Sequence, residues 1–359
     1  MKSLWLMLLL LSFGCDAHAD RDIVYAARYY TPPGSHRASH FHLYRVNPDG
    51  TGNVQLTFGA GNDGSPRWSP DGKSIAFVRD GVRLCVISSD GGDFKAFSAA
   101  QVGYGFDTLR WLPGSRLLAI FSHQEGDGQG EIIDVVSGNT VETIKDMGEC
   151  LVSPDGRHAY LGGVTRMGQI VSLKQDGQIV AYSLTTTLDT PAWMDGNTLV
   201  GFTNPSDQPA DYELIDCQGR IRQRGHVRMS NTSKPDNDTL TQGPSFLLSI
   251  PGDKQRFLYA SNQSNSTDGT QYDFYEVQAS TGCMAPFLAT EQFVSFCPDG
   301  SRFCTAPGRS TTPYEKGARD NYRTVWSAPL YLRATRGGPM RQLTPRLSWV
   351  TAADWRKRN

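Results

Sequence analysis

The chain has almost no excess of charge of either sign. Its 35 Lys and Arg stand against 36 Asp and Glu, a formal net charge of −1 over 359 residues. Without a basic excess it carries no electrostatic footprint for nucleic acid or an anionic membrane surface. Cysteine is scarce, at 7 residues, and no two form a C-x-x-C pair, which excludes a zinc site built from such pairs. No G-x-S-x-G elbow, phosphate-cradling glycine loop or H-E-x-x-H occurs. Long apolar runs are lacking too. The one such run, residues 4–14, is far short of the roughly 20 residues a spanning helix needs. With Lys2 before it and Ala17-His18-Ala19 after it, that run reads as a cleavable export leader over residues 1–19. The alternative is lipoprotein processing at Cys15, after Ser12-Phe13-Gly14, which would anchor the chain to a membrane by lipid. Either way the protein is expected outside the cytoplasm, periplasmic or secreted.

What is abundant is repetition. In Ser65-Pro66-Arg67-Trp68-Ser69-Pro70-Asp71-Gly72-Lys73-Ser74-Ile75-Ala76-Phe77, an apolar anchor ends a short strand and a turn reverses the chain. Pro70 presets φ for the turn, Asp71 follows it, and Gly72 takes the positive φ that returns the chain. Ile75 and Phe77 then alternate with smaller residues, the pattern of a strand with one buried face. The phrase recurs at Trp111-Leu112-Pro113-Gly114, Val152-Ser153-Pro154-Asp155-Gly156, Trp193-Met194-Asp195-Gly196, Ile250-Pro251-Gly252 and Phe296-Cys297-Pro298-Asp299-Gly300. It ends in a last anchor, Trp355. A second series of turns interleaves with these anchors, at Gly50, Gly91, Gly138, Gly177, Gly219, Gly282 and Gly337. A hairpin repeated at a period of roughly 40 residues or more is the pattern of a β-propeller.

The fold expected is therefore all-β: a seven-bladed propeller over residues 20–359, with six blades the alternative. Ile23-Val24-Tyr25-Ala26-Ala27 has no anchor before it and Trp355 has no strand after it. Joined, they complete one hairpin, so the first and last strands are expected to share a blade and leave no open sheet edge.

Candidate site residues follow from position in the repeat. Asp63, Asp107, Asp146 and Asp189 each stand just before an anchor and would form an acidic ring at one channel mouth. The loop carrying Tyr314, Arg319, Tyr322 and Arg323 has the aromatic and Arg composition of a binding surface. His40 and His42 share a strand face, with His36 nearby, the one weak candidate for a metal. No cofactor is expected. Cys297 and Cys304 flank one hairpin turn and are the candidate disulfide in an oxidising compartment.

Pro66-Arg67-Trp68-Ser69-Pro70-Asp71-Gly72-Lys73-Ser74-Ile75-Ala76-Phe77, Asn47-Pro48-Asp49-Gly50 and Gln55-Leu56-Thr57 together resemble the repeats of the TolB-like, WD-like propellers, and Gln342-Leu343-Thr344 echoes them. The chain differs from TolB in that the repeats begin directly after the leader, without TolB's N-terminal α/β domain. The resemblance implies an exported, non-enzymatic interaction platform. Its partner would be a protein, peptide or glycan, the chain a monomer. The alternative is an enzyme, a polysaccharide lyase or glycan hydrolase, with its site at the channel mouth.

Overall fold

The computed structural model describes residues 23–29, 40–97, 109–112, 117–124, 127–145, 149–162, 167–173, 179–203, 211–229, 244–266, 269–307, 310–313, 324–346 and 348–357. Among these residues the regular elements are strands, numbered β1 to β30 along the chain. One four-stranded sheet joins the two ends of the chain: β30 (Ser348–Trp355), β1 (Ile23–Tyr29), β2 (His42–Val46) and β3 (Val54–Gln55), in that order. Four further sheets are meanders in chain order. They are β4 (Asp63–Trp68), β5 (Ser74–Arg79), β6 (Arg83–Ser88) and β7 (Lys95–Phe97); then β8 (Leu109–Trp111), β9 (Leu117–Gln124), β10 (Asp127–Asp134) and β11 (Thr140–Lys145). The next are β12 (Glu149–Val152), β13 (His158–Gly162), β14 (Gln169–Leu173) and β15 (Ile179–Ser183); then β16 (Asp189–Trp193), β17 (Thr198–Phe202), β18 (Asp211–Asp216) and β19 (Ile221–His226).

The last large sheet has eight strands. Its path runs β21 (Pro244–Ser249), β22 (Arg256–Ser266), β23 (Gly269–Gln278), β24 (Cys283–Phe296), β25 (Arg302–Pro307), β28 (Tyr331–Ala334) and β29 (Arg341–Gln342), with β20 (Arg228–Met229) pairing parallel to the start of β24. A separate hairpin joins β26 (Ser310–Pro313) and β27 (Thr324–Ser327). β24 is long because it does two jobs. Its first half pairs with β23 and its second half with β25.

The sheets form a propeller. β30 packs on β4, β4 on β8, β8 on β12, β12 on β16 and β16 on β21, while β24 packs back on β30. The closing pairing is the one expected from the two unpaired ends: Ile23 lies opposite Trp355 and Tyr25 opposite Ala353. Ile23, Val24, Tyr25, Ala26 and Ala27 are all fully buried, which is why this strand lacks the alternation of a half-exposed one.

The two Ser-Pro-Asp-Gly turns build the same set of bonds. The Ser69 hydroxyl donates to Asp71 Oδ1 at 2.6 Å, and the Ser74 N–H donates to Ser69 Oγ at 2.9 Å. Ser153, Asp155 and His158 repeat this at 2.6 and 3.0 Å. Gly72, Gly156 and Gly300 close these turns at φ of 66°, 71° and 69°, a region costly for residues with a Cβ. The Gln-Leu-Thr segments also act alike. Thr57 Oγ1 takes the Leu43 N–H and Thr344 Oγ1 takes the Leu330 N–H, both at 2.9 Å.

Cys297 occupies the serine position of its turn. Its thiol donates to Asp299 Oδ1 at 2.7 Å and its sulfur accepts the Arg302 N–H at 3.1 Å. The expected bridge to Cys304 is not formed, and both residues are free, buried thiols. In the register Cys304 lies opposite Ser295, two positions back along the strand from Cys297, so the two sulfurs are not set across from each other. Cys297 instead does a hydroxyl's work in its own turn.

The anchors join neighbouring sheets. Trp111 Nε1 donates to the Arg67 carbonyl at 3.0 Å, Trp193 Nε1 to the Leu151 carbonyl at 2.7 Å and Trp355 Nε1 to the Ser295 carbonyl at 2.8 Å. In each case the acceptor is the residue just before the anchor of the preceding sheet. The joint between β30 and β4 differs. There Trp68 Nε1 is buried without a partner, and Asp354 Oδ2 instead accepts the Trp68 backbone N–H at 2.7 Å. The Arg356 guanidinium lies 5.5 Å from the centre of the Trp68 ring.

Two outcomes follow. Trp193→Phe strands the Leu151 carbonyl and is expected to cost about 1–3 kcal/mol in urea denaturation, while Trp68→Phe, which gives up no indole hydrogen bond, costs less. At Cys297, the thiol bond is the main reason the Asp299 carboxyl is pushed down to about 2 from 3.8. A carboxyl depressed in the folded state stabilises above its unfolded pKa, and that stability is lost as pH falls through the folded one. Cys297→Ala is therefore destabilising at pH 6 by thermal melting, with a gap from wild type that narrows between pH 4 and 2. Cys297→Ser keeps most of the stability.

Candidate functional site

β30, β4, β8, β12, β16 and β21, with the second half of β24, surround one cavity of about 700 Å³ on the propeller axis. Side chains of a strand alternate, so the residue just before each anchor position, which Ser249 holds on β21, faces the axis. These are Arg67, Arg110, Leu151, Ala192, Leu248, Ser295 and Asp354, and all of them line the cavity. One level up, at the start of their strands, Glu149 and Asp189 line it as well.

The cavity is unevenly furnished. Its charges sit on consecutive strands, Arg67 on β4, Arg110 on β8, Glu149 on β12 and Asp189 on β16, with Asp354 beside Arg67 on β30. Arg67 and Arg110 are held alike, each Nη1 donating to the carbonyl of its preceding residue at 3.1 Å. Burial raises the Asp354 carboxyl above the usual range, against the opposing pull of Arg67 and the Trp68 N–H. Glu149 and Asp189 lie close enough to Tyr160 to add to the rise that burial imposes on its hydroxyl. Across the cavity the wall is aromatic: Phe246 and Tyr272 meet edge to face at 4.7 Å, and Phe293 lies alongside on β24.

The wall at β16 is also strained. Thr190 has φ of 46°, and its hydroxyl is buried without a partner. Ser65 on β4 has φ of 50°. Each precedes a proline, which normally excludes helical backbone at that position, and a β-branched residue at positive φ is rarer still. Both fall in bulges, between Gly64 and Arg67 and between Asp189 and Ala192. Such conformations persist where surrounding structure enforces them, commonly beside binding sites.

The expected acidic ring is corrected. Asp63 is buried and does not line the cavity; Arg79 binds it through two bonds, Nε to Oδ1 at 2.7 Å and Nη2 to Oδ2 at 3.0 Å. Glu291, at the start of the β25-paired half of β24, is likewise buried and bound by Arg333 at 2.9 Å and by the Thr305 hydroxyl at 2.8 Å. Asp189 does line the cavity. Asp107 and Asp146 lie outside the described residues, as do Tyr314, Arg319, Tyr322, Arg323 and His36. His40 is exposed and His42 buried, with ring centres 6.4 Å apart. Burial lowers the His42 pKa, and its Nδ1 is 3.8 Å from Asp63 Oδ2. Among the described residues no group of three or more His, Cys, Asp or Glu is placed to hold a metal ion.

Arg67, Arg110, Glu149 and Asp354 escaped the reading of the sequence. The signal for Arg67, Arg110 and Asp354 was present in their place immediately before a tryptophan anchor. Removing one partner of a buried pair leaves the other charge uncompensated. Asp63→Asn is accordingly expected to cost about 3 kcal/mol in chemical denaturation, with the cavity's ligand affinity unchanged because the pair lies off the axis.

No family model matches the chain. Over 88 residues it is 34% identical to the "Uncharacterized peptidase YuxL" of Bacillus subtilis (strain 168), a match taking in 23% of this chain and 12% of that protein. TolB from Acinetobacter baumannii superposes with a TM-score of 0.52 at 13% identity, covering 94% of this chain and 67% of TolB. The β-propeller domain of the Trilobed protease from Pyrococcus furiosus gives a TM-score of 0.52 at 13% identity, with 90% and 95% covered. Pyrococcus horikoshii acylaminoacyl peptidase gives 0.54 at 14%, with 91% of this chain and 51% of that one covered. With the inner strands set around one cavity, the shared terminal sheet and these superpositions together, the chain has the fold of a TolB-like β-propeller.

Proposed function

We propose that the chain is an exported seven-bladed propeller that acts as a non-enzymatic binding platform, its ligand a protein, peptide or glycan segment held in the axial cavity. The count treats the eight-stranded sheet as two blades sharing β24, so that each blade gives one inner strand to the cavity wall. The observation that carries the reading is that wall. A concave site of about 700 Å³ with an aromatic flank and a few charges has the size and make-up of a ligand pocket. Export rests on the leader over residues 1–19, with lipid attachment at Cys15 as the alternative. No helix among the described residues is long and apolar enough to cross a membrane. The loop with Tyr314, Arg319, Tyr322 and Arg323 is proposed as an outer contact for a larger partner.

The enzyme alternative draws on Glu149 and Asp189, two carboxylates in one cavity. The two readings separate in one set of assays. Thr351 lines the cavity from β30 and is only partly buried, so Thr351→Trp fills the space with little disturbance of the core. The chain from residue 20 is expected to capture a component of the periplasmic fraction. Thr351→Trp should lower that capture at least tenfold at an unchanged melting temperature. Capture unaffected by the substitution overturns the cavity as the site. Turnover of glycan substrates by wild type, lost in Glu149→Gln, overturns the non-enzymatic assignment.

A further inference from the structure

Strand register decides which side chains of the inner strands reach the axis. Steps back from an anchor position are measured on the partner strand, so that a bulge adds none. Phe246 lies opposite Ala260 and Ser249 opposite Phe257, which puts Phe246 at the third step on β21. Phe293, opposite Ala306, holds the third step from Phe296 on β24, and Glu149, opposite Gly162, the third step from Val152 on β12. Asp189 is four residues before Trp193, yet Phe202 opposite it is only three beyond Leu199 opposite Trp193. The bulge at Thr190, with its φ of 46°, therefore brings Asp189 to the third step as well. All four side chains line the cavity. Fourth-step carboxylates turn away from it: Asp63, opposite Arg79, is bound by Arg79, and Glu291, opposite Pro307, by Arg333. Without its bulge Asp189 would share their step and their orientation.

The other charges of the wall are occupied. Arg67 and Arg110 stand at the first step, and each turns Nη1 back to the carbonyl of its preceding residue. Glu149 has a partner of its own, and Asp354 takes the Trp68 N–H. Asp189 is exposed to the cavity and makes no hydrogen bond or ion pair among the described residues. β21 packs beside β16, so the next third-step side chain is Phe246, half-buried and met edge to face by Tyr272 at 4.7 Å. Phe293, also half-buried, follows on β24. From Ser245 round to Ala353 the lining carries no charge at all. An open carboxylate thus borders an uncharged sector furnished with three aromatic rings.

That pairing selects among ligands. A neutral apolar group would cover the rings and strip water from an unpaired carboxylate, and an anion would be repelled by it. An organic cation suits both, since the carboxylate takes its N–H donors and an aromatic face attracts its charge. Resting on the reading of the cavity as the binding site, we propose that Asp189, Phe246, Tyr272 and Phe293 form a subsite for an aliphatic ammonium group, supplied by a lysine side chain of the partner protein. Lysine fits because its charge is a compact group of three donors on a flexible four-carbon stem. The stem reaches in from the end of the channel where β12, β16 and β21 begin, and its methylenes lie along apolar wall.

Saturation-transfer NMR with butylammonium and its uncharged counterpart n-butanol tests this on the exported chain. Butylammonium is expected to bind at least tenfold tighter than butanol. Asp189→Asn should abolish that preference. Phe246→Leu, which keeps apolar bulk but loses the ring, should weaken butylammonium by about threefold or more and leave butanol unchanged. Because each variant is read by the ratio of two ligands on the same protein, partial loss of folded material does not mimic the result. The blocked peptide acetyl-Ala-Lys-Ala-amide separates the sources: binding tighter than that of butylammonium supports a lysine of a protein segment, and weaker binding overturns the lysine assignment in favour of a free amine. Equal affinity for butylammonium and butanol, or a preference unchanged in Asp189→Asn, overturns the subsite, and the cavity reading stands if Thr351→Trp still abolishes capture. Capture that survives Thr351→Trp, with no butylammonium bound, removes both.

Discussion

An indole N–H reaching a backbone carbonyl in the next sheet is the joint on which this molecule depends. Sheets packed face to face through apolar side chains are free to slide, since that attraction has no direction. The bonds from Trp111, Trp193 and Trp355 have direction. Each fixes the height of one inner strand against its neighbour, and so decides which side chains stand at which level of the axial cavity. The tryptophans serve twice, filling the space between sheets with a large ring and satisfying the one polar atom that ring carries.

The exception lies where β30 meets β4. Trp68 has no acceptor for its indole, and the joint passes to the Asp354 carboxylate on the Trp68 amide and to Arg356 over the ring. A neutral joint is thus replaced by a charged one. Asp354 also belongs to the cavity wall, so the closing joint and the ligand site share a residue.

The architecture was legible because its signals are local. Pro-Asp-Gly turns and Ser-to-Asp bonds are completed within a few residues, and seven anchors with interleaved glycines carry the repeat. The shared terminal sheet was legible because Ile23–Ala27 and Trp355 were each half of a hairpin. The site was much less so. Asp63 stands five residues before Trp68 and Asp189 four before Trp193, each with a bulge in between, and one is bound by Arg79 from the adjoining strand while the other lines the cavity. Cys297 likewise looked like half of a bridge, because nothing in a list of spacings says that a thiol can stand in for serine in a turn. The arginines before Trp68 and Trp111 were within reach of period-two alternation, which sets them opposite to the buried anchors.

The shared strand β24 has a consequence for how the molecule breathes. Elsewhere the last strand of one sheet and the first of the next are separate elements, so each sheet can open by itself. In β24 fourteen residues run through from one pairing to the other without a loop, Glu291 being paired on both sides. A break in the first pairing pulls on the second. Amide protons from β21 to β29 would then exchange with solvent as one cooperative block, about twice the size of the others, and the slowest sector of the ring would lie opposite the charged flank of the cavity.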